Sequence, residues 1–385
     1  MGGEALEVEE VEVSYGTTRV LQAITLAVAP GEFVALLGSS GCGKTTLLRA
    51  ISGFAPVRAG RVLLGGRDIT GYPPEQRGMA MVFQSYALWP HMTTAQNLGY
   101  GLKLRGVARA ERRRRVAEVM ALLGLEGLGD RSVTQLSGGQ RQRVALGRAL
   151  AINPGILLLD EPLSNLDARI RQTVRHEIKA LQQQLGITAI HVTHDREEAM
   201  VMANAIAIMD HGRIVQFGPP EEVYNRPASP FVAAFMGADN VIPLRIERAD
   251  HAVRVAPGPD NEAAELACGE AGNQRTVHLA DGADGAVLAH FRSAAARLAA
   301  QGEGAPDSLV LRGLIRQSSY PGGFYRYAVT VGGQEYFVDD ERRFATGESV
   351  GICLPAQALH LYPRETVAGA ATRPVQPGSY PAWGA

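Results

Sequence analysis

Residues 36–46 read Leu-Leu-Gly-Ser-Ser-Gly-Cys-Gly-Lys-Thr-Thr. The apolar, strand-like run Phe33–Leu37 leads into this stretch, and Leu47-Leu48-Arg49-Ala50-Ile51, helical in character, follows it. Strand, glycine-rich loop and helix in that order, with the spacing G-x-x-x-x-G-K-[ST], make a phosphate cradle. The glycines allow the main chain to curl so that successive N–H groups point inward. The helix N-terminus adds partial positive charge. Gly38, Ser39, Ser40, Gly41, Cys42, Gly43, Lys44, Thr45 and Thr46 are therefore the candidate phosphate-binding residues, with Lys44 as the full positive charge and Thr45 as a hydroxyl ligand for Mg2+. Cys42, inside the loop, reads as a small tolerated residue rather than a redox switch.

Outward from the cradle, Ile156-Leu157-Leu158-Leu159-Asp160-Glu161 is an apolar run ending in two acids. A buried strand that delivers carboxylates at its C-terminal end suits the place where an open α/β sheet puts its chemistry. Asp160 is the candidate metal ligand and Glu161 the candidate general base for an attacking water. His194, just after the strand-like Ala189–Val192, could bond a terminal phosphate and hold that water in line. Gln84, after Ala80–Phe83, could reach both metal and water through its amide. Leu136-Ser137-Gly138-Gly139-Gln140 precedes a helical stretch from Arg141 to Ile152 and sets glycines and a hydroxyl at a second helix N-terminus. One nucleotide rarely needs two such sites in one chain. A head-to-tail pair of chains, each completing the other's site, resolves this.

The 385 residues allow one large domain and a smaller one. Lys plus Arg is 38 against 39 Asp plus Glu, a net charge of -1, which argues against bulk nucleic-acid binding. The cysteines, Cys42, Cys268 and Cys353, have no metal-ligand spacing, which points to a reducing compartment. No apolar run approaches the roughly 20 residues that span a bilayer, so a membrane role must come through a partner. Alternating β-rich and helical runs over residues 4–237 predict a mostly parallel sheet flanked by helices, with Gly65–Gly66 as a hairpin and a helical subdomain at about 85–153. Short strands broken by Gly, Pro and Asp predict a β-rich, barrel-like domain over 238–363. Residues 364–385, rich in Pro, Gly and Ala, read as a disordered tail. The run Glu111-Arg112-Arg113-Arg114-Arg115 reads as a solvated helix face.

Taken in order, these motifs resemble those of ABC transporter ATP-binding subunits. Gly38 to Thr45 matches the Walker A loop, Gln84 the Q-loop glutamine and Leu136 to Gln140 the signature. Ile156 to Glu161 matches Walker B with its catalytic glutamate, Ser164-Asn165-Leu166-Asp167 the D-loop, and His194 the switch histidine. Tyr15, in Val13-Ser14-Tyr15-Gly16, matches the aromatic that stacks on adenine. Residues 238–363 resemble the TOBE-type domain of importer subunits. The resemblance implies an α/β P-loop NTPase domain with a helical subdomain, followed by a small OB-like β domain. Val133 stands where relatives often carry Pro. Phe291-Arg292-Ser293 departs from the Arg-Pro-Glu often found in the C-terminal domain, and Tyr320-Pro321-Gly322-Gly323-Phe324-Tyr325 looks closer to polyamine, iron or phosphonate-type members than to sugar-type ones.

The resemblance further implies a homodimer, or a pair with a paralogue, closing on two Mg·ATP, each between Lys44 of one chain and Ser137 of the other. Glu161, His194, Lys44 and Gln84 would be catalytic, Thr45, Gln84 and Asp160 would hold Mg2+, and Asp167 would lie at the D-loop. Partners would be two transmembrane permease subunits and, indirectly, an extracytoplasmic solute-binding protein, with the chain peripheral on the cytoplasmic face of the inner membrane. Polyamine, ferric iron and phosphonate are the expected cargoes. Tyr86 and Trp89, read as exposed, are expected to form part of the permease-docking surface. The competing reading is a soluble ABC-type ATPase acting on ribosomes or DNA. A single cradle and signature and the lack of a heptad run between them weigh against it.

Overall fold

A computed structural model of the chain describes residues 2–249, 252–255, 264–267, 278–279, 285–300, 303 and 308–364. Cys268 and nearly all of the expected tail lie outside the described residues. The chain divides into two compact units, one running to Pro220 and one beginning at Glu221.

In the first unit, β1 (Leu6–Tyr15) and β2 (Thr18–Val28) form an antiparallel hairpin, and β4 (Ala59–Leu64) and β5 (Arg67–Asp68) extend it in the order β2-β1-β4-β5. Gly65 and Gly66 make the β4–β5 turn at φ +54° and +77°, as their sequence predicts. A six-stranded sheet holds β3 (Phe33–Gly38), β6 (Met79–Val82), β7 (Ile156–Asp160), β8 (Thr188–Thr193), β9 (Ala205–Asp210) and β10 (Arg213–Gly218) in the order β10-β9-β3-β8-β7-β6. It is parallel except where β10 meets β9. Every residue of β3, β7 and β8 is buried, as expected for parallel strands covered on both faces.

Alternation inside these apolar runs divides them between two cores. Leu157 and Leu159 of β7 pack with Phe33, Ala189 and the helical region, whereas Ile156 and Leu158 pack with Val34, Leu36, Ile190 and Val192 toward the antiparallel sheet. Helix α1 (Lys44–Ser52) lies in the second core. Its C-terminal carbonyls are held by Arg77, which is 2% exposed and donates from Nη1 to Ala50 O and Ile51 O. Burial lowers the pKa of that guanidinium, and its cost is offset by four carbonyl acceptors in all, Thr70 O and Tyr72 O included.

The expected helical region contains α2 (Thr94–Leu104), α3 (Arg109–Leu122) and α4 (Gly138–Ala151). Thr93 and Gln96 close a capping box on α2. On α3, the exposed Arg114 pairs with Glu111 and Glu118 at i,i+3 and i,i+4, whereas Arg112 is half-buried. α5 (Ala168–Leu185) starts at the Asp167 cap and ends at Gly186, and α6 (Arg196–Met202) starts at the Asp195 cap. Among the described residues no helix is long and apolar enough to cross a membrane.

The second unit is β-rich. One sheet pairs Asn240–Ala249 with Gly285–Phe291 and the latter with His360–Pro363; another is built on Ser308–Ser319, Tyr325–Val331, Gln334–Asp340 and Ser349–Pro355. The two share a core of Ile242, Val287, Phe291, Tyr327, Val329 and Ile352. As a compact unit it starts before the expected Ala238, because the preceding segment is fastened to its strands. Arg292 donates to Tyr224 O at 2.6 Å with its guanidinium 3.6 Å from the Tyr224 ring centroid, and Tyr362 donates its hydroxyl to Pro227 O at 2.8 Å.

The β9–β10 turn ties the two sheets of the first unit to the cradle. Gly212, at φ +77°, donates to Cys42 O and accepts from Gln22 N, both at 2.9 Å. A Cβ there would lie 2.1 Å from Val20 O. Gly212→Ala is expected to destabilise the chain by about 2 kcal/mol or more through left-handed strain and this backbone clash. Denaturant unfolding against Gly66→Ala, where a Cβ would meet open space, checks it.

Candidate active site

The C-terminal end of β3 delivers the chain into the loop at Gly38, where a Cβ would lie 2.3 Å from Met209 O and 2.7 Å from Cys42 Sγ. Only glycine fits that approach. Gly41 and Gly43 take φ +81° and +110°, which bends the loop back over its own axis, and α1 begins at Lys44. Lys44 is 6% exposed; its Nζ donates to Gly38 O and Ser39 O, each at 2.8 Å, and lies 3.7 Å from Cys42 Sγ. A cation is thereby held inside the curl of the loop. Cys42 is 5% exposed and belongs to the core beneath the loop.

Strand β8 lies between β3 and β7, so three C-terminal strand ends face one region. Thr45 Oγ1 donates to Asp160 Oδ1 at 3.0 Å, which joins the helix start to the end of β7. Burial raises the Asp160 carboxyl above its ordinary pKa, opposed by the Thr45 hydrogen bond and by Arg49 and Lys44. A hydroxyl and a carboxylate side by side are hard oxygen donors of the kind Mg2+ takes when phosphate oxygens and water complete its shell. Among the described residues no group of three or more His, Cys, Asp or Glu could hold a metal by itself. These residues fit an ion carried in with a nucleotide.

Glu161 follows at φ +46°, a left-handed conformation that a non-glycine residue adopts only when its surroundings enforce it. Its N–H donates to Val192 O at 3.1 Å, and its carbonyl accepts from Ser164 Oγ at 3.0 Å. The strained residue turns its side chain toward two partners from elsewhere in the chain. Gln84 Nε2 lies 3.4 Å from Glu161 Oε2, and His194 Nδ1 lies 3.4 Å from Glu161 Oε1. His194 is 60% exposed in its side chain, against 22% for Glu161. Three predicted residues separated by long stretches of sequence therefore meet.

Tyr15 is half exposed at the end of β1. The following strand runs past the cradle, with Leu21 Cδ2 2.9 Å from where a Gly43 Cβ would lie. Ser137 and Gln140 close a capping box on α4: Gln140 N donates to Ser137 Oγ at 3.3 Å and Ser137 N to Gln140 Oε1 at 2.9 Å. Gly138 and Gly139 face Leu166 and Ile170. Among the described residues no hydrogen bond joins Ser137–Gln140 to Gly38–Thr46 of the same chain. Asp167 caps α5 through Ile170 N.

Sequence reading missed Ser164 and Asn165 as individual contributors. Ser164 Oγ lies 3.3 Å from Gln84 Nε2, and Asn165 Nδ2 donates to Gln84 O at 2.9 Å. Their place inside the four-residue run before α5 is the available signal. The expected exposure needs correction for Tyr86, while Trp89 is half-buried. Tyr86 is 7% exposed and belongs to the helical core, and Trp89 packs on Tyr100 with ring centroids 4.2 Å apart. Apolar packing is worth more to these rings than solvent contact. Beside them, α2 and α3 border a cavity of about 730 Å³, lined in part by His91, Tyr100, Lys103, Arg112, Val116 and Met120.

A parallel sheet with a glycine-rich phosphate loop on its central strand, and with acids on a nearby C-terminal strand end, defines a P-loop nucleotide hydrolase. The family model described as ABC transporter matches residues 21–164. The chain is 50% identical over 251 residues to the Fe(3+) ions import ATP-binding protein FbpC of Brucella melitensis, covering 64% of this chain and 71% of that one. It is 40% identical over 359 residues to the protein of the same name from Agrobacterium fabrum, covering 90% and 94%. Among solved structures, cbiO1 from Clostridium perfringens, part of the ABC transporter complex cbiONQ, is similar with a TM-score of 0.54 and 30% identity, over 57% of this chain and 90% of that one. The chain belongs to the ABC transporter ATP-binding proteins, and it is an ATPase.

The raised Asp160 pKa gives a signed expectation. The native state holds this proton more tightly than the unfolded chain, so stability from this group is present at low pH and falls as pH rises from the ordinary aspartate range through the raised value. Asp160→Asn, which stays uncharged, is expected to unfold at a higher temperature than the parent at neutral pH without nucleotide or metal. The gap should shrink on acidification. Calorimetry across pH checks both.

Proposed function

We propose that this chain is the energy-coupling subunit of an importer that takes up ferric iron, and that it hydrolyses Mg·ATP at the interface of a closed homodimer. The single observation that supports the cargo is the 40% identity to an Fe(3+) import ATP-binding protein over 90% of this chain, which extends through the β-rich unit. That unit is read as a TOBE-type domain.

The chemistry follows from the residues at the strand ends. Tyr15 would stack on the adenine, and the loop N–H groups with Lys44 would bind the phosphates. Thr45, Asp160 and Gln84 would hold Mg2+, which supplies charge neutralisation between phosphate oxygens when bound. Glu161 would accept the proton of the attacking water, with His194 and Gln84 orienting that water and the outer phosphate. Catalysis is then positioning plus electrostatics. Ser137–Gln140 lies at a helix N-terminus whose amides suit a phosphate, so the signature would close over the nucleotide of the opposite chain, with Asp167 beside that interface. The cavity at α2 and α3, with Lys103 and Arg112 beside apolar Val116 and Met120, is the surface offered to a permease subunit. Solute would reach the permeases from an extracytoplasmic binding protein, with this chain peripheral on the cytoplasmic face.

Glu161→Gln is expected to lower ATP turnover by about 100-fold or more while ATP binding survives; parallel turnover and equilibrium binding assays check it. A tagged pull-down from detergent-solubilised native membranes should recover multispanning subunits. Loss of the gene should reduce ferric iron uptake, with recovery by the wild-type chain and not by the Glu161→Gln variant. Recovery of ribosomal or DNA-bound proteins with no membrane subunit would overturn the importer reading.

A further inference from the structure

Two consecutive non-glycine residues, Tyr86 and Ala87, sit in the left-handed region at φ +62° and +47°. That conformation is unfavourable for each of them and needs an outside hold. Both of their carbonyl oxygens accept from one side chain: Arg148 Nη2 donates to Tyr86 O at 2.8 Å and Nη1 to Ala87 O at 2.6 Å. The same guanidinium lies 4.7 Å from the centroid of the Trp89 ring. Arg148 is in the last turn of α4, the helix that Ser137 and Gln140 begin.

The segment is fastened on both sides of the strained pair. Upstream, Gln84 O accepts from Asn165 Nδ2, and the Gln84 amide reaches Glu161 and Ser164. Downstream, Trp89 N donates to Asn97 Oδ1 at 3.0 Å, and Asn97 Nδ2 donates back to Trp89 O at 3.2 Å. Only Ser85 separates the glutamine from the residues that Arg148 holds. A shift at Tyr86–Ala87 is therefore passed to Gln84 with little slack.

We propose that Arg148 is a positioning residue for ATP hydrolysis: it holds the strained Tyr86–Ala87 turn and through it sets the Gln84 amide against Glu161. This rests on the reading of Gln84 and Glu161 as parts of the ATP site. It joins the signature helix and the glutamine loop in one mechanical unit, since α4 carries a phosphate-facing motif at its start and this clamp at its end. A planar fork is needed to bind two neighbouring carbonyls while lying on an indole, which a lysine ammonium cannot reproduce.

The test is steady-state ATP turnover by the full-length chain, with equilibrium ATP binding and thermal unfolding measured on the same samples. Arg148→Lys is expected to lower kcat about tenfold with ATP affinity within about twofold of the parent, the signature of lost positioning rather than lost binding. Adding Ala87→Gly, which takes the left-handed conformation without strain, should recover most of that loss. If Arg148→Lys does not fold, Ala87→Val carries the test: it leaves the guanidinium and the core untouched, raises the strain at an exposed position, and should lower kcat severalfold at unchanged ATP affinity. An unchanged kcat in Arg148→Lys, or a loss that Ala87→Gly leaves as it was, or an Ala87→Val chain as active as the parent, would overturn the proposal. Glu161→Gln separates the two readings. If it keeps full turnover, the site assignment itself fails; if it is inactive while the Arg148 variant is fully active, only the positioning role fails.

Discussion

A lysine ammonium held inside a backbone loop is the constraint around which the first unit is arranged. Lys44 is almost fully buried, and a buried charge is tolerated only where acceptors surround it. Here the acceptors are the Gly38 and Ser39 carbonyls of its own loop. For those oxygens to turn inward, the chain must leave β3 without a side chain at Gly38 and reverse at Gly41 and Gly43. The loop can be so tight only because it springs from a strand buried on both faces and ends in a helix packed in the same core. The strand is rigid in turn because β3 is paired on both sides, by β8 and β9.

The acidic end of the site depends on strain held in place by neighbours. Glu161, Tyr86 and Ala87 all occupy left-handed backbone, and each is fixed by hydrogen bonds from distant segments. Such conformations persist where surrounding structure over-determines them. β8 contributes the Val192 carbonyl that anchors Glu161, and the loop after it brings His194 within 3.4 Å. Beneath, the buried Glu198 accepts from Thr193 Oγ1 at 2.7 Å and pairs with His191 at 3.1 Å, which fixes both ends of the short turn carrying His194. Although burial opposes it, the His191, Thr193 and Arg175 contacts hold the Glu198 carboxyl below its ordinary pKa.

Several motif residues serve local structure as well as the site. Ser137, Asp167 and Asp195 are all helix N-caps, accepting from backbone N–H groups that would otherwise lack partners. The spacing that makes a signature or a D-loop recognisable in a sequence is in part the spacing a helix start requires. For that reason the order of elements in the first unit, the central apolar strands and the cradle are all legible in the amino-acid sequence. Other features leave no such local mark. A tyrosine has the same pattern in a sequence whether it faces solvent or a core, and for Tyr86 only the packed helical region decides. The start of the second compact unit is hidden for a similar reason, since the contacts of Tyr224 and Pro227 are with residues 68 and 135 positions later.

The amino-acid sequence by itself determined the chemistry: which residues can cradle phosphate, which carboxylates end a buried strand, and the α/β class of the fold. Those properties depend on residue type and short-range spacing, through glycine's freedom at positive φ and the two-residue period of strands. Tertiary structure alone decided which of these groups meet. Gln84, Glu161 and His194 converge because β6, β7 and β8 are neighbours in one parallel sheet and end on the same side. Strand order is set by long-range packing, which leaves no local mark in the sequence. The same holds for Arg148, whose reach to the Tyr86 and Ala87 carbonyls exists only once α4 has packed beside that loop.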